Sequence, residues 1–427
     1  MADHVVHVNG AGVLGGPPEL DSLVLQLQSS HRFQERVLAI EKICAILQAY
    51  PITKVLGLWA LASDLLLPEQ SDESAAAGYK LLKACVSLDG LTPAERSVFF
   101  DAACLRKADS SFHSRLDIIS TLTNGGRNVE ACESSLASFI LSSLDVRFKE
   151  SLTAYSIAKK ANPKKKADVQ TKEGENLARL FHYITEICRF NSKVFSDEDL
   201  EQLLVRTMAI CQKTKQQSDI EDAIKLFDAI ITYVHVPKAV LKPFLEVLCT
   251  IHRQLGDLQE QSWNTLSNLF KSHVGQAAVS GLLHTLLDGP DRASRKHSVY
   301  LGVIRILQRL LLANGRNNLP TVPISLLLSA LKSSIHGEHE VQEEFIVDLI
   351  DAILAEDTMR ELLRNESDWS DLMYIIHTCV GRDDLRGAGS DTGVVNKGPV
   401  EKPVEKASRN PQTESTLPLL MMRILAK

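Results

Sequence analysis

From about Leu20 to Val380 the apolar residues fall at helical steps in block after block of about 15 residues, with almost nothing strand-like between the blocks. Val37, Ile40, Cys44 and Leu47 line one helix face that Pro51 closes, and Val55, Trp59, Ala62 and Leu66 line the next before Pro68. Ile220, Ile224, Phe227, Ile231 and Val234 are answered, after Pro237, by Val240, Phe244, Val247 and Ile251. Two such stripes joined by a tight turn make an antiparallel helix hairpin. Pairs of stripes recur near 32–67, 72–107, 110–144, 174–213, 218–254, 257–286, 290–334 and 338–380. That period suits an all-α, HEAT/armadillo-like solenoid of antiparallel helix pairs, and it lacks the fixed Trp, Gly, Tyr and Pro positions of a tetratricopeptide repeat. A solenoid buries its core between neighbours and closes no central pocket, so its default task is to hold other macromolecules.

Helix starts are legible. Thr92-Pro93-Ala94-Glu95 offers a Thr cap, a Pro at the first helical position and a Glu placed to reach back; Ser218-Asp219-Ile220-Glu221 reads as a second capping box, and Ser196 to Asp199 as a weaker one. The adjacent glycines and prolines of Gly15-Gly16-Pro17-Pro18 make 1–18 a disordered N-terminus, with the solenoid spanning 19–380. Within it, about 146–172 breaks the rhythm around Lys159-Lys160 and Lys164-Lys165-Lys166 and reads as a Lys-rich inserted loop. The polar, Gly- and Pro-bearing sequence of 381–427 reads as a disordered tail whose closing Leu417 to Leu425 is apolar but too short to span a membrane.

Composition narrows the function. A 5% aromatic content suits a Leu/Ile/Ala-packed helical core, and a net charge of −6 argues against a general nucleic-acid binder. The eight cysteines are scattered without CxxC pairs and read as small core residues in a reducing cytosol. Gly10-Ala11-Gly12-Val13-Leu14-Gly15 spells a dinucleotide fingerprint, but Pro17-Pro18 sits where its helix should run and no parallel strands follow. Cys249 with His252, or His336 with His339, could each supply two metal ligands, whereas zinc needs three or four. No catalytic motif stands out, so neither cofactor, metal nor catalysis is expected.

Two charged stretches are candidate contact surfaces. Arg147 to Lys166 carries seven Lys/Arg against the single Glu150, either as a solvated loop or as an attractor of anionic headgroups or a phosphorylated partner. Residues 338–361 carry nine Asp/Glu and one Arg, with Glu340, Glu344, Asp348 and Asp351 on one helix side opposite Val341, Phe345 and Leu349.

Several turns bear distinctive strings. They are Leu58-Trp59 with Asp64-Leu65-Leu66-Leu67-Pro68-Glu69, and His113-Ser114-Arg115-Leu116 leading into Leu122-Thr123-Asn124-Gly125-Gly126-Arg127. Arg189-Phe190-Asn191-Ser192 follows, then Asp219-Ile220-Glu221 running to Asp228-Ala229, and Ser272-His273-Val274-Gly275 after Trp263. In order and spacing these resemble the N-terminal HEAT-like region of the tuberin family, over about 55–290. The resemblance implies a non-catalytic arm that binds the coiled coil of hamartin. It also implies a longer chain that activates GTP hydrolysis by Rheb and restrains TOR signalling from the cytoplasm, peripheral at most to a lysosomal or vacuolar membrane. The catalytic domain of that family has no counterpart here. The candidate partner contacts are the acidic helix face of Glu340, Glu344, Asp348 and Asp351, and the turn holding Asn124 and Arg127, whose glycines equally suit a helix C-cap. The competing reading is an importin-like adaptor that holds basic peptides on acidic helices.

Overall fold

The computed structural model describes residues 16–30, 32–50, 52–106, 109–161, 171–287, 294–313, 316–335, 343–354 and 365–388. These residues hold seventeen α-helices, six 3-10 segments and no strand. The chain divides into two compact units, one up to His235 and one from Val236 onward.

In the first unit the helices are α1 (Pro18–Ser29), α2 (Phe33–Ala49), α3 (Val55–Ala60), α4 (Asp72–Val86), α5 (Pro93–Leu105), α6 (Phe112–Leu122), α7 (Glu133–Ala161), α8 (Lys172–Phe190), α9 (Asp197–Lys213) and α10 (Gln217–Tyr233). The even-numbered helices from α2 to α10 pack side by side in one layer, α2 on α4, α4 on α6, α6 on α8 and α8 on α10, while α5, α7 and α9 pack behind them. The second unit comprises α11 (Leu241–Gln254), α12 (Gln259–Lys271), α13 (Gly275–Leu287), α14 (Ser294–Ala313), α15 (Ile324–Ile335), α16 (Glu343–Ile353) and α17 (Glu366–Ala388). There α11, α14 and α16 form one row and α13, α15 and α17 the other. This is the stacked-pair architecture that the periodicity predicts.

The stripes form the core because each buries its apolar side against two neighbours. Ile40, Cys44, Leu47, Trp59, Ala62 and Leu66 are all buried, as are Ile224, Phe227, Phe244, Val247 and Ile251. Trp59 and Leu66 do not share one continuous helix: α3 ends at Ala60 and a 3-10 turn, Ser63–Leu66, carries the stripe onward. Where α14 crosses α11 the fit is tight, since a Cβ on Gly302 would come within 2.3 Å of the Cys249 carbonyl oxygen.

The caps act locally. The Thr92 amide donates to Glu95 Oε2 at 2.8 Å while the Glu95 amide donates to Thr92 Oγ1 at 3.3 Å, and Ser196 with Asp199 repeats the reciprocal pair. Each such cap stabilises by about 1 kcal/mol. The Ser218 box does not form. Helix α10 begins two residues earlier, with Gln216 at its cap position, because Thr214 closes the end of α9, accepting from the Gln216 amide and donating to buried Asp219 Oδ2 at 2.6 Å.

The Lys-rich stretch is also corrected. Residues 146–161 are not a loop but the last part of α7, at 29 residues the longest helix described; 162–170 lie outside the described residues. At the ends, Pro18 opens α1 as a first-turn proline, and α17 runs on to Ala388, past the expected boundary at 380. The GxGxxG string and the rest of the tail fall outside the described residues.

Candidate functional site

The even-helix layer of the first unit carries a ridge of paired charges that crosses from one helix to the next. Lys80 on α4 reaches back to Glu41 on α2 at 2.9 Å. One turn further along α4, Lys83 reaches forward to Asp117 Oδ2 on α6 at 3.1 Å. Asp117 also accepts from Arg179 on α8, whose guanidinium lies against the His113 imidazole one turn away on α6, 2.9 Å from Nε2. Helical spacing puts Lys80 and Lys83, and likewise His113 and Asp117, on one face of their helices. Partial burial of Asp117 works against ionisation, but hydrogen bonds from Arg179 and Lys83 outweigh it and hold the carboxyl below its ordinary value.

Beside this ridge lies an open groove of about 410 Å³, lined by Leu116, Ser120, Gly125, Ala178, His182 and Tyr183. Its small residues leave room between α6 and α8. The ends of those two helices are locked by the turn after α6. Asn124, Gly125 and Gly126 take φ of 48°, 66° and 89°, three successive left-handed residues. Gly126 has no alternative: its Cβ would sit 2.9 Å from Ile187 Cγ1 and 3.1 Å from the Ile187 amide nitrogen. Thr123 Oγ1 bonds Tyr183 Oη at 2.9 Å and accepts from the Gly126 amide at 3.2 Å, and Asn191 donates to the Gly126 carbonyl. The turn thus sews α6 to α8.

The sequence-derived candidates are placed unequally. Asn124 is exposed within that left-handed turn, and Arg127 stacks over the Phe190 ring with its guanidinium carbon 4.8 Å from the centroid. Both belong to the first unit. Of the acidic face, Glu340 lies outside the described residues and Glu344 is placed only as a backbone position in α16. Asp348 and Asp351 are exposed on α16, while Ile346, Leu349, Ile350 and Ile353 form its buried side. The Lys83–Asp117–Arg179 chain escaped sequence reasoning because its members lie 34 and 62 residues apart. The only local hint was His113 standing four residues before Asp117.

Nothing in this groove sets a nucleophile against a base. Among the described residues no group of three or more His, Cys, Asp or Glu is placed to hold a metal ion. Cys249 and His252 are both buried, with His252 Nδ1 3.1 Å from the Gln259 carbonyl and 3.0 Å from Ser262 Oγ. Burial pushes the Cys104 and Cys132 thiols up to about 11 and those of Cys188 and Cys211 to about 12, which suppresses thiolate chemistry.

A family profile described as "Domain of unknown function (DUF3384)" matches residues 33–417. The chain belongs to the DUF3384 family. This DUF3384 chain is also similar to a solved structure titled "Structure of the TSC2 N-terminus", at 24% identity and a TM-score of 0.81, over 96% of this chain and 95% of that one. The curated relative it matches is the tuberous sclerosis 2 protein homolog of Schizosaccharomyces pombe, 22% identical over 276 residues, which is 63% of this chain and 20% of the relative. The matched part thus spans about one fifth of that relative's length. The DUF3384 chain therefore has the fold of the TSC2 N-terminus, in agreement with the resemblance read from its turn strings. No helix among the described residues is long and apolar enough to cross a membrane.

Proposed function

We propose that this chain is a non-catalytic α-solenoid scaffold whose even-helix face receives an amphipathic helical partner, the coiled coil of hamartin. In this reading it forms the N-terminal arm of a tuberin-like activator of the GTPase Rheb that restrains TOR signalling. The observation that supports it is the groove between α6 and α8. It is shallow, floored by Ala178, Gly125 and Ser120, and flanked by the ion-paired ridge of Lys83, Asp117 and Arg179. Such a groove accepts the small and apolar anchors of a helix, and the ridge offers charges to its polar edge. Any catalytic step belongs to another part of a longer chain, and the place of work is the cytoplasm, with membrane association through a complex.

A pull-down against the hamartin coiled coil tests the partner. Ala178→Arg fills the groove from its floor and lowers capture at least about tenfold without changing the thermal melt, because an anchor side chain is displaced. Failure of the parent chain to capture the coiled coil removes hamartin as the partner, and undiminished capture by the variant removes the groove. Rheb mixed with the chain alone hydrolyses GTP at its intrinsic rate; acceleration would overturn the non-catalytic reading. The adaptor reading draws on exposed Asp348 and Asp351, but Arg305 already faces Asp348 and weakens its attraction for a basic peptide.

A further inference from the structure

Helix α7 packs for only part of its length. Its buried residues run from Leu136 to Ser151, and none of the ten residues from Leu152 to Ala161 is buried. At 1.5 Å per residue this last stretch, the prong, is about 15 Å long; Leu152, Ala154, Tyr155, Ala158 and Lys159 on it are half-buried, while Thr153, Ser156, Ile157, Lys160 and Ala161 are exposed. Ile157 on the prong is 65% exposed, the highest value among the large apolar side chains described. Lys159 and Lys160 follow it in the last turn, and Lys149 stands exposed two turns before it. Across an open groove of about 450 Å³, the first turn of α8 contributes exposed Lys172. Glu150 and Glu173 also border that groove, but Glu150 is paired with Arg147. From Lys159 to Lys172 the sequence holds six lysines against the single Asp168, in a chain whose net charge is −6.

An exposed isoleucine with exposed Lys160 one turn on, and with exposed Lys149 and Lys172 bordering the same groove, has the chemistry of a peripheral lipid contact. The lysines are drawn to anionic headgroups, and the apolar side chain gains by entering the acyl boundary. A long polyanion would also meet the acidic remainder of the chain, and the prong offers only Tyr155 as an aromatic for base stacking. We infer that the C-terminal prong of α7, with Lys149, Ile157, Lys159, Lys160 and Lys172, is a docking surface for an anionic phospholipid bilayer.

The test is cosedimentation of the whole chain with vesicles of phosphatidylcholine, with and without phosphatidylserine. The parent sediments with the phosphatidylserine vesicles at low salt and releases as salt rises. Lys159→Glu with Lys160→Glu lowers the bound fraction at least about tenfold, and Ile157→Ser lowers it several-fold. Lys213→Glu with Lys271→Glu, which makes the same change of charge at exposed positions elsewhere, leaves most binding intact. All three variants keep the parent's melt, because none touches the core. Absence of parent binding, equal binding to phosphatidylcholine alone, or equal loss in the control pair would each overturn the assignment. Capture of soluble polyglutamate in place of vesicles would overturn it in favour of an acidic protein.

Discussion

The two units bury basic side chains in opposite ways. The first encloses three arginines, Arg106, Arg115 and Arg147, at 7%, 6% and 3% exposure; the second encloses His252 at 1%. A guanidinium stays charged at any ordinary pH, so its burial demands partners. Arg106 donates to the Gln70 carbonyl at 2.7 Å and pairs with Asp72, and Arg115 donates to the Ala103 carbonyl at 3.1 Å with its guanidinium over Phe139. Arg147 lies over Phe112 at 4.5 Å and pairs with Glu150, and Phe112 stacks on Phe139. An imidazole escapes the problem by losing its proton. Burial, with Arg309 nearby, pulls the His252 pKa down to about 4. The first unit therefore keeps the charge of its buried arginines within a cage of rings, carbonyls and carboxylates, whereas the second discards the charge of His252.

The comparison sharpens with pH and breaks with single substitutions. Glu150→Gln removes the carboxylate from a buried arginine and costs about 3 kcal/mol in urea unfolding, at the lower end for buried pairs because Glu150 is itself a quarter exposed. Next comes acid. His252 has a lower pKa folded than unfolded, so the unfolded chain takes up the proton first as pH falls. Its stabilising contribution is complete above its ordinary value of 6.5 and is lost progressively between 6.5 and about 4. The loss approaches roughly 3 kcal/mol for this group, and His252→Gln flattens that part of the stability-against-pH curve; an unchanged curve would break the contrast. Smallest is Asp117→Asn, which takes the shared carboxylate from Lys83 and Arg179, both partly exposed, and costs about 1 kcal/mol or less. A loss as large as that of Glu150→Gln would place the ridge among the buried cages.

What the sequence revealed tracks how local each feature is. The stripes of α2, α10 and α11 and the boxes at Thr92 and Ser196 depend on residues a few positions apart, and they stand where expected. The α7 prong was read as a loop for a physical reason. A helix segment that only half-buries one face shows a weak apolar stripe, while the Ala, Leu and Lys of Leu152 to Ala161 favour helix by propensity. Ser218 misled because Asp219 is turned inward to Thr214 instead of standing free at a helix start. The turn at Asn124 to Gly126 was legible as a C-cap, but its stitching to Tyr183, Ile187 and Asn191 was not. Contacts between repeats leave no spacing in the chain that could reveal them.

Asp117 serves Lys83 on one side and Arg179 on the other, so α4, α6 and α8 are tied through a single carboxylate. Flexing the stack either way at α6 opens one of these pairs or crushes the other. With the Gly126 stitch joining the far ends of α6 and α8, the two walls of the groove are tied to each other at both ends by contacts within the chain itself.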